Sequence, residues 1–522
     1  MPSGPQTHGA DEATVEGARP GRHGRAGGRT LATLARGGAF NLVGAVCNQV
    51  ALFAIMAALA RFLGSDDVGR YAECYALLSL VGLLSLAGFR AGLTRFVAVH
   101  LADQDPARLR GTVRLGLGIT VAASAVLGLG MVVFAAPIAG LFDDPALTTG
   151  IRLTGLTLPA ATFSDAALAA TQGWRTQRPF TLIGRIYEPV ARLGLTVAAL
   201  LLGFGLTGAF WALLIGAWTA SALAARAVFT RVRQAPPSGR AVYELRRIFS
   251  FSMVSWASAL AATGLIWADT LLLGHLTDAD EVGVYNVATR LVMLAVFVMA
   301  PINAAFAPHL AHLHHIGASR ELATTYGAAT SWIVRLSMPA FVALIVFPSD
   351  MLEFFGHDFR TGATVTAVLA CGQLVSAVAG PCGTVLTMSG RVGLNMVDNV
   401  GVLVVNVGLN LWLIPHHGVM GAAVAWSFSL ALANIAKFLQ VRYVVQVVPA
   451  SAGVVKSLLA GVPAAAAAVL IRGLLHTWLV ELVVGGLVIV VIYVVTLLLL
   501  GLSPEDRLML RTIMRRKPLA TT

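Results

Sequence analysis

Apolar residues run nearly unbroken for about 20 positions at a time along this chain, the length a helix needs to cross a hydrocarbon core of about 30 Å. Such windows fall at 37–62, 71–94, 112–135, 149–171, 179–203, 206–228, 249–274, 282–307, 329–349, 364–388, 393–414, 419–441, 455–472 and 478–501. The pattern predicts about fourteen transmembrane helices. Barrel strands would be far shorter, and in lipid only a helix or a closed barrel satisfies its own backbone, so the expected class is an all-α integral membrane fold.

The polar stretches between the windows differ in charge. Arg19, Arg22, Arg25, Arg29 and Arg36 precede the first window, and Arg95, Arg108 and Arg110, Arg175 and Arg178, and Arg231, Arg233, Arg240, Arg246 and Arg247 fill every second loop. Lys437, Arg442 and Lys456 continue the series, which closes with Arg507, Arg511, Arg515, Arg516 and Lys517. The intervening loops carry Asp66 and Asp67, Asp143 and Asp144, then Asp278, Asp280 and Glu281. Short basic loops stay in the cytoplasm, so both termini are expected there, and the helix count should be even.

A Pro/Gly/Arg connector, Gln234-Ala235-Pro236-Pro237-Ser238-Gly239-Arg240, divides the first twelve windows equally. On either side, Ser65-Asp66-Asp67-Val68-Gly69-Arg70-Tyr71 aligns with Ala279-Asp280-Glu281-Val282-Gly283-Val284-Tyr285. Both copies fall between the first and second helix of a half, which predicts two six-helix lobes in parallel pseudo-repeat. The expected organisation is a basic flexible tail (1–36), an N-lobe (37–228), a linker (229–248), a C-lobe (249–445), two extra helices (446–502) and a basic tail (503–522).

Composition agrees with a membrane class: 57% of the 522 residues are hydrophobic and 12% are charged. The net charge of +12 is spread over loops and termini, which excludes a compact nucleic-acid domain. The four cysteines lie inside apolar windows without metal or redox spacing. None of the three lysines follows a glycine, so the Walker A phosphate loop is absent.

The segment Arg61-Phe62-Leu63-Gly64-Ser65-Asp66-Asp67-Val68-Gly69-Arg70-Tyr71, with Gly92-Leu93-Thr94-Arg95-Phe96-Val97 beyond it, resembles the opening of the Wzx-type oligosaccharide flippases, within the multidrug/oligosaccharidyl-lipid/polysaccharide exporter superfamily. Asp269-Thr270-Leu271-Leu272-Leu273-Gly274, Leu386 to Gly390-Arg391, and Asn406 to Asn410 followed by Leu413-Ile414-Pro415, Gly418 and Gly421-Ala422-Ala423 agree in order and spacing. The resemblance implies a V-shaped cavity between the lobes and alternating access. Its cargo would be a polyprenyl-diphosphate-linked oligosaccharide carried to the outer leaflet for cell-surface polysaccharide biosynthesis. It also implies glycan polymerase or assembly proteins as partners. The alternative within the superfamily is a cation-coupled multidrug exporter.

Ionisable groups inside the spans are the candidate machinery, because each costs about 2.5–3.5 kcal/mol to insert and so faces a cavity or a partner. Arg90, Arg192 and Arg290 are the candidates for the lipid diphosphate, since a guanidinium binds phosphate oxygens in pairs and keeps its charge when partly desolvated. Against that, Arg192 is one turn from Glu188, Arg90 is near enough to the interface to snorkel, and Arg290 is at a depth to pair with Asp269. Asp165, Glu188 and Asp269 are the candidates for a coupling proton or sodium ion. Asp398, Asn399, Asn406 and Asn410 form a polar stripe of the kind that joins helices. Trp267, Trp412 and Trp478 at outer ends, with Trp174 and Trp332 at inner ones, read as an aromatic belt.

No cofactor or metal is expected: His309, His312, His314 and His315 lack a carboxylate or cysteine to complete a set, and read as an interfacial helix. An enzyme of glycan assembly is a further alternative, for which the short outer loop Phe355-Gly356-His357-Asp358-Phe359-Arg360 would have to supply the acid and base. A scaffold that recruits such enzymes is a third, disfavoured by the polar residues within the spans.

Overall fold

A computed structural model describes residues 23–234, 236, 240–297, 299–447, 451–474 and 477–501, and among these it contains helices and no strand. In the N-terminal half these are α1 (His23–Leu63), α2 (Ser65–Leu86), α3 (Phe89–Ala102), α4 (Pro106–Val133), α5 (Ala135–Gly140), α6 (Leu147–Gly173), a π-helical segment Phe180–Tyr187 running into α7 (Glu188–Leu201), and α8 (Gly205–Gln234). The second half holds α9 (Leu245–Leu276), α10 (Ala279–Ala295), α11 (Met299–His315), α12 (Ser319–Val346), α13 (Pro348–Glu353), a 3₁₀ turn at His357–Gly362, α14 (Ala363–Ala379), α15 (Cys382–Met388) and α16 (Val392–Gln440). A π-helical turn (Val441–Val445), α17 (Ala452–Ile471) and α18 (Trp478–Leu499) follow.

Helix covers the apolar windows, but not as uniform rods. Nine stretches among the described residues are long and apolar enough to cross a membrane, or ten if the bent pair α2–α3 counts as one span. The difference from fourteen has physical causes. α16, although continuous by hydrogen bonding, breaks at Gly418 (φ 52) and folds back. Its two arms are joined where Lys437 Nζ donates to Asn399 Oδ1 at 3.0 Å and Gln440 Nε2 to Asp398 Oδ1 at 2.6 Å. α7 has 14 residues, and α10 and α11 have 17 each, because their windows are interrupted. α6 is long enough but trades apolar side chains for threonines, whose hydroxyls bond back to the preceding turn at Thr154, Thr157 and Thr162.

Tertiary contact sets the breaks. α2 and α3 meet at 43° through Ala87 (φ 43) and Gly88 (φ 72). A Cβ on Gly88 would collide with the Ser252 carbonyl of α9, so a glycine is required there on two counts.

The lobes are α1–α8 and α9–α16, and α17–α18 pack on the C-lobe, setting Ala460, Ala464 and Ala468 against Met338, Val342 and Phe347. At the end expected to be outside, α2 crosses α10 with backbone against backbone. A Cβ on Gly69 would fall inside the Ala279 carbonyl, and a Cβ on Gly283 inside the Ser65 carbonyl. Ser65 aligns with Ala279 and Gly69 with Gly283 in the sequence repeat, so these contacts are reciprocal, as a pseudo-twofold requires. At the opposite end α3 packs on α9. There the Arg95 guanidinium sits 4.3 Å from the Phe251 ring centroid, and Trp256 Nε1 donates to the Leu83 carbonyl at 2.9 Å.

α1 begins at His23, so helix enters the segment expected to be a flexible tail, whose residues 1–22 lie outside the described residues, as does the basic tail 503–522. In the connector, residues 235 and 237–239 are also outside. The rest lies against the start of α4, with Arg110 Nη2 donating to the Pro236 carbonyl and the Val242 amide to that of Ala107.

Candidate functional site

Between the two contact zones, α2, α3, α6 and α9 enclose a cavity of about 700 Å³. Its walls are mostly small and apolar (Leu78, Gly82, Ala161, Ala259), and its polar groups include Arg90, Arg95, Asp165 and Gln172. Arg90 and Asp165, chosen from sequence for different roles, therefore share one cavity. Arg90 is exposed, and Asp165 is in no ion pair among the described residues. The bend between α2 and α3 produces this: it turns Arg90 and Arg95 toward the space beneath α9.

Tyr75 lines this cavity and also a second, smaller one of about 20 Å³ that holds Arg192 and Arg290 together with Tyr71, Trp267 and Asn286. The side chains form a ladder across the lobe boundary. The Arg192 guanidinium lies 5.4 Å from the Tyr75 centroid, Tyr75 lies 5.6 Å from Trp267, and Arg290 lies 5.9 Å from Trp267. Two cations on either side of two electron-rich rings are tolerated in an apolar setting because each ring presents its negative face.

Arg192 is 3% exposed and keeps the expected partner one turn away, Glu188 Oε1 at 3.6 Å, yet its Nε has no acceptor. It is thus both paired and turned toward a cavity. Arg290 does not pair with Asp269, contrary to the expected neutralisation. Asp269, 1% exposed, accepts from Tyr285 Oη at 2.8 Å and from Asn410 Nδ2 at 2.5 Å, and Asn410 also donates to Asn406 at 3.2 Å. The carboxylate has its donors within the C-lobe, which leaves Arg290 to the aromatic ladder. The Asn406–Asn410 stripe joins helices, as its spacing suggested.

Trp267 belongs to this ladder rather than to an interfacial belt, whereas Trp412, 66% exposed, does face outward. The loop considered as an acid/base site is a hydrophobic plug: Phe355 and Phe359 are fully buried, Phe53 packs on both Phe354 and Phe355, and Arg360 and His357 are engaged by Glu353. Among the described residues no group of three His, Cys, Asp or Glu side chains is arranged to hold a metal.

Sequence reasoning missed Arg95, which it used for orientation and as part of the resembling segment but not as a site residue, and Tyr75, an ordinary aromatic residue until the two cavities are seen to meet at it. It also missed Arg185, in the π-helical segment, whose Nη1 donates to Asn41 Oδ1 at 3.1 Å and whose guanidinium lies 5.0 Å from the Phe180 centroid. Its position inside the fifth window was the available signal.

The "Polysaccharide biosynthesis protein" family model matches residues 34–314, and a MatE model matches 256–412. Among curated proteins, a probable flippase AglR of Haloferax volcanii is 27% identical over 39% of this chain and 43% of its own length. The teichuronic acid biosynthesis protein TuaB of Bacillus subtilis is 26% identical over 39% and 42%. The matched part thus spans about two fifths of these relatives. Among solved structures, the lipid II flippase MurJ in an inward closed conformation superposes with a TM-score of 0.71 at 12% identity, covering 87% of this chain and 97% of that one. An inward-facing multidrug resistance MATE family transporter gives 0.64 at 16% identity, covering 76% and 94%. These likenesses show the two-lobe transporter fold. With its model matching more than half of the residues, the chain belongs to the polysaccharide biosynthesis protein family.

Proposed function

We propose that this protein moves a polyprenyl-diphosphate-linked oligosaccharide, or a related glycan lipid, across the cytoplasmic membrane by alternating access, with both termini in the cytoplasm. The observation that carries the reading is the inter-lobe cavity with Arg90 and Arg95 on its wall, separated by Tyr75 from Arg192 and Arg290. A polyanionic headgroup needs such cations, and at the buried Arg192 the attraction is worth more than at a surface. The names of the matched relatives support the same cargo class.

In this reading Arg90 takes the diphosphate first, from the larger cavity. Arg192 and Arg290 take it as the lobes rearrange around Tyr75. Asp269 is the candidate for the coupling proton or sodium ion, because its loss of charge would loosen the Tyr285–Asn410 bonds that tie α9 to α10 and α16. Asp165 and Glu188 are the N-lobe candidates. A glycan polymerase or other assembly proteins would receive the product.

The MatE match and the MATE structural likeness favour a second reading, export of cationic drugs. The excess of arginine over carboxylate in the large cavity weighs against it, since a cationic amphiphile would be repelled there.

The test is translocation of lipid-linked oligosaccharides by the purified protein in liposomes, comparing wild type with Arg90→Ala, Arg192→Ala and Arg290→Ala, each checked for insertion and monodispersity. Flipping by wild type, reduced about tenfold or more in at least one variant, is the expected result. Efflux of cationic dyes without flipping of any glycan lipid would replace the proposal by the drug-exporter reading.

A further inference from the structure

The C-lobe holds another cavity, of about 410 Å³, to which the transport reading gives no role. It lies where α11, the α14–α15 break and both arms of α16 converge, at the end of the bundle expected to be inside. Its lining includes the side-chain amides of Asn303, Asn395, Asn399 and Asn434, the hydroxyl of Thr384 and the ammonium of Lys437.

Amides between membrane helices ordinarily bond to each other or to backbone, as Asn434 of this same cavity does by donating to the Leu430 carbonyl at 2.8 Å. Two amides in this cavity depart from that rule. The Oδ1 atoms of Asn303 and Asn395 are buried, yet neither has a hydrogen-bond donor in the protein. They come from different helices, α11 and α16, and line one space. Lys437 is bonded to Asn399 Oδ1 but forms no ion pair among the described residues, and Asp398, on the facing arm, accepts from Gln440 instead. The cavity therefore offers acceptors that lack donors and an ammonium in no ion pair among the described residues, the neighbouring Asp398 carboxylate being bonded to Gln440.

Sugar hydroxyls are the donors that fit paired amide carbonyls, and a carboxylate is the anion that a single ammonium reads as a point charge. We propose that this cavity binds the sugar portion of the transported glycan, with Asn303 and Asn395 accepting from ring hydroxyls and Lys437 selecting a uronic acid. The inference rests on the flippase reading for its cargo. It adds a division of labour: arginines of the two cavities between the lobes hold the diphosphate, while the amides and one lysine of this separate C-lobe cavity read the sugar.

Binding is measured by saturation-transfer NMR on the protein in lipid nanodiscs, using digalacturonic acid, the neutral disaccharide digalactose and inorganic diphosphate as probes. Wild type should bind digalacturonic acid about tenfold more tightly than digalactose, the range of one charge-assisted bond. Lys437→Gln should abolish that preference, Lys437→Arg should retain most of it, and Asn395→Leu should weaken both sugars. If Lys437→Gln does not fold, the Asn395→Leu and Lys437→Arg results still decide. Equal binding of the two sugars by wild type, displacement of the sugar by diphosphate, or unchanged binding in Asn395→Leu would overturn the proposal. The same preparations report flipping separately. Sugar preference without flipping sinks the flippase reading and leaves the sugar site. Flipping with sugar binding indifferent to these variants sinks the site and leaves the flippase.

Discussion

The carboxylate Asp269 in the C-lobe and the arginines that line the cavities between the lobes are partnered in opposite ways. In the C-lobe, Asp269 is tied to Tyr285 and Asn410, side chains from two other helices. In the N-lobe, Arg192 has a single carboxylate partner, and Arg90 and Arg95 line an open space. A satisfied buried carboxylate joins helices, whereas an under-satisfied cation, buried like Arg192 or exposed to a cavity like Arg90 and Arg95, is available to a ligand. The difference teaches that two lobes of similar plan need not repeat each other's chemistry: Asp269 serves to tie helices together, whereas the arginines of the cavities keep donors free.

Four measurements break or sharpen this contrast. The largest expected effect comes from the joint that both lobes share. Gly69→Leu would place a side chain inside the Ala279 carbonyl, so flipping in liposomes should fall to background while the protein still inserts. Activity near wild type would show that the lobes need not close there. Next, Asp269→Leu leaves the Tyr285 hydroxyl and the Asn410 amide without an acceptor, and should lower stability in detergent by about 3 kcal/mol, read as a fall in Tm. A Tm unchanged from wild type would remove the distinction between the lobes. Tyr75→Leu keeps the volume roughly but removes the ring face over which Arg192 sits, and should reduce transport several-fold with a change in Tm equivalent to about 1 kcal/mol. If transport is unaffected, the ladder is a packing device only. The smallest effect is expected from Trp412→Phe, on the outward face of α16, with transport and Tm both within error of wild type. A marked loss there would mean that this face meets a protein rather than lipid.

Much of this architecture was legible in the chain itself, for a physical reason. Lipid demands long apolar helices, so hydropathy alone placed most of them, and the alignment marked Gly69 and Gly283 as equivalent without foretelling that they meet. The breaks within single windows were not legible. The separate windows 393–414 and 419–441 did mark the turn at Gly418, but Gly380, inside the window 364–388, resembles any other glycine in a helix until Thr330 is seen pressed against it. Gly418 is where Glu281 reaches the start of the returning arm and accepts from the Val419 amide at 3.2 Å, an acid at a helix N-terminus contributed by the other end of the C-lobe. For the site, rarity was the guide. An arginine inside a span stands out, so Arg192 and Arg290 were found, while Tyr75, Asn303 and Asn395 were not, because tyrosines and amides within spans usually serve packing.

The crossing of α2 and α10 has a consequence for how such a chain can change over time. Each of its two glycines is held in place by main-chain atoms of the other half, so neither half can acquire a side chain there while the partner stays as it is. A side chain gained at either glycine therefore demands a compensating shift of main chain in the other half, so the two positions constrain each other.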